Sequence, residues 1–301
     1  IAPAAISLLK FEPELQRHLQ SHSFNEAKPK ILEVITDLSK LPLLLKLMSI
    51  CPLADIALEQ LFRGIRANLL LSISDLTGSP KVSNFQSALA LQCFTNEYIY
   101  NKTQNEDKAL AALEEAVEKT LSCGAQPHPH FILCLASYKP INHYEWSSLL
   151  LVTDEIRDVF TRQVKEPNQE ANLKTVLPIL EEITDKVSSK VREQYEASPY
   201  PRWVNLRLRS KSSSISKVVS EIKLNLFDHR IKEVKAPDIL VAGCGTGEHS
   251  IGTATRFKDS KVLAIDLSAS SLSYAKRKTE ELNIKNIDYM QADILNLEKL
   301  N

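Results

Sequence analysis

The residues with the most chemical promise lie between Asp238 and Asp293. Asp238-Ile-Leu-Val-Ala-Gly-Cys-Gly-Thr-Gly247 is a short apolar run that passes directly into a glycine-rich turn, with Glu248 to Phe257 able to wind into a helix after it. Glycine carries no Cβ and tolerates positive φ, so such a turn lets backbone approach a ligand closely. The helix beyond offers free N–H groups and the positive end of its dipole. A second apolar run, Lys261-Val-Leu-Ala-Ile265, ends in Asp266, and Ile287 to Gln291 reads as a third strand with Asp293 at its end. Ser270 to Leu282 reads as the helix between them. A carboxylate at the tip of the second strand of a βαβ unit is placed to accept both hydroxyls of an adenosine ribose.

The spacing of the glycines separates two nucleotide ligands. A dinucleotide-binding turn has the pattern G-x-G-x-x-G, whose third glycine admits a pyrophosphate over the helix start. Here that third position is Glu248, an acid that repels a pyrophosphate. The G-x-G-x-G observed instead suits a ligand with no phosphate and a zwitterionic amino-acid end. S-adenosylmethionine fits this pattern and NAD does not.

These residues must be held by elements on either side. A chain of 301 residues is long enough for two domains, each with its own apolar core. Only Gly64, Gly78 and Gly124 precede Lys235, whereas Gly243, Gly245, Gly247 and Gly252 fall together, and the architecture changes near residue 200. From Pro3 to about Glu196 the apolar spacing is helical. One stripe runs through Ile56, Leu61, Phe62, Ile65, Leu69 and Ile73, another through Leu173, Val176, Leu177, Leu180, Ile183 and Val187. Leu41 to Leu53 reads as buried helix, and Asn105-Glu-Asp supplies an N-cap and first-turn acids for Lys108 to Leu121. About eight to ten helices follow from these patterns, with breaks at Pro42, Pro52, Gly78-Ser-Pro80, Gln126-Pro-His-Pro129, Lys139-Pro140 and Glu166-Pro167. Lys108 to Val117 has a tetratricopeptide flavour, but no second copy follows at that repeat's period of roughly 34 residues, which favours a non-repeating helical domain. The prolines of Tyr195-Glu-Ala-Ser-Pro-Tyr-Pro-Arg-Trp203 hold that segment extended, and a short helix is expected over about Ile215 to Phe227. The expected fold class is α + α/β: an all-helical domain over 1–196, a linker and lid segment over 197–235, and the first three strands of a partial Rossmann-like domain over 236–301.

Composition excludes several function classes. Equal numbers of Lys+Arg and Asp+Glu, 37 each, leave no overall field drawing the protein to nucleic acid or an anionic membrane. No apolar run approaches the ~20 residues of a membrane-spanning helix. The five cysteines are scattered without C-x-x-C spacing, which argues against zinc or a disulfide framework and for a reducing, cytoplasmic setting. His128-Pro-His130 lacks an acidic or thiol partner nearby, so no metal site is assigned. Opening on Ile1 without a leader, the sequence reads as a cut or processed chain.

Three ordered segments, Gly243-Cys-Gly-Thr-Gly247, Ala264-Ile-Asp266-Leu-Ser and Gln291-Ala-Asp293-Ile, resemble the first three motifs of class I S-adenosylmethionine-dependent methyltransferases. With Tyr195-Glu-x-Ser-Pro-Tyr-Pro-Arg-Trp203 ahead of them, the chain is more narrowly similar to bacterial proteins joining a helical, often tetratricopeptide-type, region to such a methyltransferase. The resemblance implies that Gly243, Gly245 and Gly247 line the methionine portion of S-adenosylmethionine. It likewise implies that Asp266 holds the ribose, that Asp293 meets the adenine amino group, and that Leu267 and Ile294 flank the adenine ring. Tyr200, Arg202 and Trp203 are candidates for a lid over the cofactor, with a rigid interdomain linker as the alternative reading. Many class I enzymes carry an acid just before the first glycine, where this chain has Ala242, and Glu248 is the candidate substitute. A whole class I domain continues through about four more strands, so the catalytic half is expected to be incomplete at Asn301 and no catalytic base is assigned. The implied partner is a methyl acceptor of open class, small molecule, peptide or protein, and an oligomer is compatible with the pattern. A helical interaction module on a degenerate methyltransferase platform is the alternative function.

Overall fold

The computed structural model describes residues 2–20, 30–76 and 80–300, so the expected break at Gly78-Ser79 lies outside the described residues. The chain divides into two compact units, residues 1–167 and 168–301.

The first unit is helical: α1 (Ala2–Leu9), α2 (Pro13–Gln20), α3 (Lys30–Leu38), α4 (Pro42–Ile50), α5 (Ile56–Leu71), α6 (Pro80–Thr95), α7 (Gln104–Ser122), α8 (Pro129–Ala136) and α9 (Arg157–Phe160). The sequence explains where several of them start. Asp55 accepts from the amides of Ala57 and Leu58 to cap α5. Helix α7 is capped two residues before the expected position, because Thr103 and Glu106 form a reciprocal capping box that Asn105 cannot match. His128 caps α8 with its ring nitrogen and stacks on His130. Helix α6 packs against α3, α4 and α8, with Phe85 and Leu89 in the core beside Met48, Leu58 and Phe62. A second core joins Leu113, Val117, Leu133 and Trp146.

The break expected at Glu166-Pro167 is absent. Winding continues from α9 through a π turn, Thr161–Lys165, into α10 (Glu166–Thr175). A proline ring clashes with the carbonyl one turn back in a regular α-helix, and the wider π turn immediately before Pro167 opens that row of carbonyls.

In the second unit, β1 (Asp238–Ala242), β2 (Lys261–Asp266) and β3 (Ile287–Gln291) form a parallel sheet in the order β1-β2-β3. Val241 pairs with Ala264 and Ile265 with Met290, so the three carboxyl ends lie level. Helices α13 (Glu248–Arg256) and α14 (Ala269–Glu281) pack on the sheet over a core of Val241, Val262, Ala264, Leu272, Ala275 and Tyr289. Helix α12 (Ile215–Glu221) stops before the expected Phe227, with Lys223 at φ +53° just past its end.

The stripe from Leu173 to Val187 does not form one helix. After α10 the chain runs extended, and α11 (Lys186–Ala197) starts anew with Asp185 as its cap. Pro178 cannot donate and disfavours helix in the residue before it. The free edge of β3 supplies the alternative: Leu180 N–H donates to Gln291 (2.9 Å) and Gln291 N–H to Pro178 (2.8 Å). Residues 168–196, which the sequence groups with the helical domain, therefore fall in the same compact unit as the sheet.

Candidate functional site

The turn after β1 takes its shape from three left-handed glycines, Gly243 (φ +73°), Gly245 (+52°) and Gly247 (+88°). Amides of Gly243 and Cys244 both donate to the carbonyl of Ile265 at the end of β2 (2.9 and 3.0 Å). Asp266 completes the link. One carboxylate oxygen accepts from Gly245 N–H (2.8 Å) and the other from Ser268 N–H (2.9 Å), joining the glycine turn to the loop that opens α14. Each oxygen keeps a further lone pair for a ligand.

Beside this carboxylate lies a cavity of about 320 Å³. Its walls include Gly243, Gly245, Asp266, Leu267 and Ile294, all of them candidates from the sequence, and Tyr200 of the lid segment. Val191, Tyr195, Ser271 and Ala292 also line it. Of these, Tyr195 opens the Tyr-Glu-x-Ser-Pro-Tyr motif, whereas nothing local marks Val191 or Ser271.

Other candidates sit elsewhere. Gly247 is the N-cap of α13 and is not on the cavity wall; a Cβ added there would stand 2.6 Å from the Cβ of Ala275. Its need for glycine comes from its left-handed backbone and from helix packing. Asp293 is buried and accepts from Leu295 N–H (3.0 Å), capping the short 3₁₀ turn Ile294–Lys299, while its neighbours Ala292 and Ile294 reach the cavity. Ala242 and Glu248 line a separate hollow with Ile239, Gly252 and Arg256.

Tyr200 to Trp203 brace the glycine turn. Thr246 donates its hydroxyl proton to the Pro201 carbonyl (2.8 Å), and the Trp203 indole donates to the Thr246 carbonyl (3.0 Å). Trp203 meets Tyr274 edge-on, Tyr274 donates its hydroxyl to the Trp203 carbonyl, and Lys278 lies 5.2 Å over the indole while donating to Val204. Tyr200 therefore reaches the cavity, whereas Trp203 is committed to α14 and Arg202 lies off the wall. Cys244 is buried, and burial first and the Asp266 charge second push its thiol above the ordinary cysteine range, which disfavours the thiolate.

A parallel sheet, a glycine turn at a helix start and a carboxylate at the tip of the second strand define the nucleotide-binding part of a Rossmann-like domain. Residues 239–301 match the family model described as a methyltransferase domain. None of the curated proteins matches the chain. Among solved structures, coclaurine N-methyltransferase bound to N-methylheliamine and SAH is similar at 14% identity and a TM-score of 0.22, over 75% of this chain and 50% of that one. The chain thus spans about half of that protein's length, and a superposition so loose transfers no residue between the two. The likeness to a methyltransferase domain is confined to residues 239–301, and the cofactor it points to is S-adenosylmethionine. The residues fit that group: two wall glycines have open space where a Cβ would stand, Asp266 offers acceptor capacity, and Leu267, Ala292 and Ile294 supply apolar surface for a base. Among the described residues no helix is long and apolar enough to cross a membrane.

Proposed function

We propose that this chain carries the cofactor-binding part of an S-adenosylmethionine-dependent methyltransferase and that its helical region recognises the methyl acceptor or a partner. The observation that carries the reading is the Asp266 carboxylate, tied to the glycine turn and facing a cavity of the right character. Gly243 and Gly245 border the methionine end, Asp266 holds the ribose hydroxyls, and Leu267 and Ile294 flank the adenine. Asp293 acts on the adenine through the turn it caps, and Gly247 supports the site by letting α13 and α14 approach. Bound there, the cofactor supplies a methyl group activated by its sulfonium sulfur. The protein's task is to orient that methyl and exclude water, and positioning alone supplies much of the rate in such a displacement. Acceptor classes include small molecules, peptides and proteins, in a cytoplasmic setting.

Calorimetric titration with S-adenosylhomocysteine tests this. The protein is expected to bind, and Asp266→Ala to weaken binding at least about tenfold, the equivalent of one hydrogen-bonded charge. Absence of binding, or an Asp266→Ala variant that binds as tightly as the parent, overturns the reading.

A further inference from the structure

Tyr195 and Glu196, which open the Tyr-Glu-x-Ser-Pro-Tyr motif, tie the end of α11 to the residues that begin α14. Glu196 is the penultimate residue of α11, yet its carboxylate lies at the start of α14. One oxygen accepts from the amides of Ala269 (2.5 Å) and Ser270 (3.3 Å), and the other from the Ser270 hydroxyl (2.6 Å) and Lys174 (2.5 Å). Lys174 also donates to the Ser270 oxygen (2.9 Å). The first amides of a helix are unpaired donors at its positive end, so an anion from another helix is held strongly there. Burial opposes the charge of Glu196, but Lys174 and Ser270 outweigh it and hold the carboxyl below the ordinary glutamate value.

The bonds continue into the site. Ser268, the local cap of α14, donates its hydroxyl to the carbonyl of Tyr195 (3.1 Å) and its amide to Asp266 (2.9 Å). Tyr195 and Val191 lie one turn apart on α11, and both line the cavity together with Leu267 and Ser271. Glu196 is not on the cavity wall.

We propose that Tyr195 is a cofactor-binding residue and that Glu196 is its positioning residue, clamping α11 onto the start of α14 just past Asp266. This rests on the cofactor reading above. A carboxylate that only stabilised the fold would lower the melting temperature and leave the affinity of the folded protein unchanged. A positioning carboxylate changes affinity, and does so only while Tyr195 is present.

The test is a double-mutant cycle read by titration with S-adenosylhomocysteine, well below the melting temperature of every variant. Tyr195→Ala is expected to weaken binding about tenfold, by loss of aromatic contact. Glu196→Gln is expected to weaken it several-fold, and the double variant to match Tyr195→Ala within about twofold, as coupled sites do. Glu196→Asp, which keeps the charge, falls between Glu196→Gln and the parent, and serves if Glu196→Gln folds poorly. Unchanged affinity in Glu196→Gln, or single losses that multiply in the double variant, overturns the proposal. Hydrogen exchange in the ligand-free protein reads the clamp separately: faster exchange at Ala269 and Ser270 in Glu196→Gln is expected, and unchanged exchange refutes the clamp. If the parent fails to bind S-adenosylhomocysteine while that exchange still accelerates, the cofactor reading has failed and takes the role of Tyr195 with it, and the clamp alone stands.

Discussion

Gly247→Ala separates the two reasons a glycine can be required. At φ +88° an alanine meets the left-handed penalty of about 1–2 kcal/mol. Its Cβ would also stand 2.6 Å from the Cβ and 3.2 Å from the Cα of Ala275, atoms that no rotamer change can move aside. Helices α13 and α14 must then part, and overpacking of this kind costs about 1–3 kcal/mol. The expected loss is about 2–5 kcal/mol, read by urea unfolding of the variant against the parent. Gly243→Ala and Gly245→Ala are the controls, since each has a positive φ but nothing within 4 Å of an added Cβ, and each should lose only the conformational share of about 1–2 kcal/mol. Adding Ala275→Gly to Gly247→Ala should restore part of the packing share while leaving the conformational share in place. A Gly247→Ala protein no less stable than the two controls would refute the packing argument, and one as stable as the parent would refute both parts.

Two further outcomes concern the helical unit. Glu106→Ala leaves Arg66, 2% exposed, without its carboxylate and deprives Tyr138 of a 2.7 Å acceptor, so thermal and urea unfolding should show a loss of about 3–5 kcal/mol; a loss under about 1 kcal/mol would show that the Tyr100 and Asn101 carbonyls already satisfy the guanidinium. Asp55 is opposed by burial but held below its usual range by Lys10 and by the amides of Leu58 and Ala57. A carboxyl lowered on folding stabilises the fold above its unfolded value near pH 4 and loses that contribution as pH falls through the folded value. The stability gap between the parent and Asp55→Asn should therefore narrow between about pH 5 and pH 3, and a gap independent of pH would refute the linkage.

Much of the second unit was legible because its signals are local. Lys261 to Asp266 is an apolar run closed by an acid, Ile287 to Gln291 alternates buried and more exposed residues, and each is a strand. The glycine turn and Asp266 announced their neighbourhood through types that few other structures require. Legibility failed where a local pattern was ambiguous or a partner lay far off in sequence. The Leu173 to Val187 stripe has helical spacing, yet Pro178 and the open edge of β3 decided its middle. Gly247 looked like a ligand-facing glycine, and only the approach of α14 revealed what it touches. Val191 and Tyr195 carry no nucleotide signature, because their place on the cavity wall depends on bonds spanning 73 and more residues.

The pairing of Pro178 and Leu180 with Gln291 bears on how this protein can be dissected. A fragment trimmed to residues 239–301, the stretch the methyltransferase family model covers, would lose the chain that occupies the outer rim of β3. The amide and carbonyl of Gln291 would then be exposed as a template for another strand, the usual route to edge-to-edge association. Such a fragment should self-associate through β3, whereas one beginning at Asn168 keeps that edge covered and should associate less.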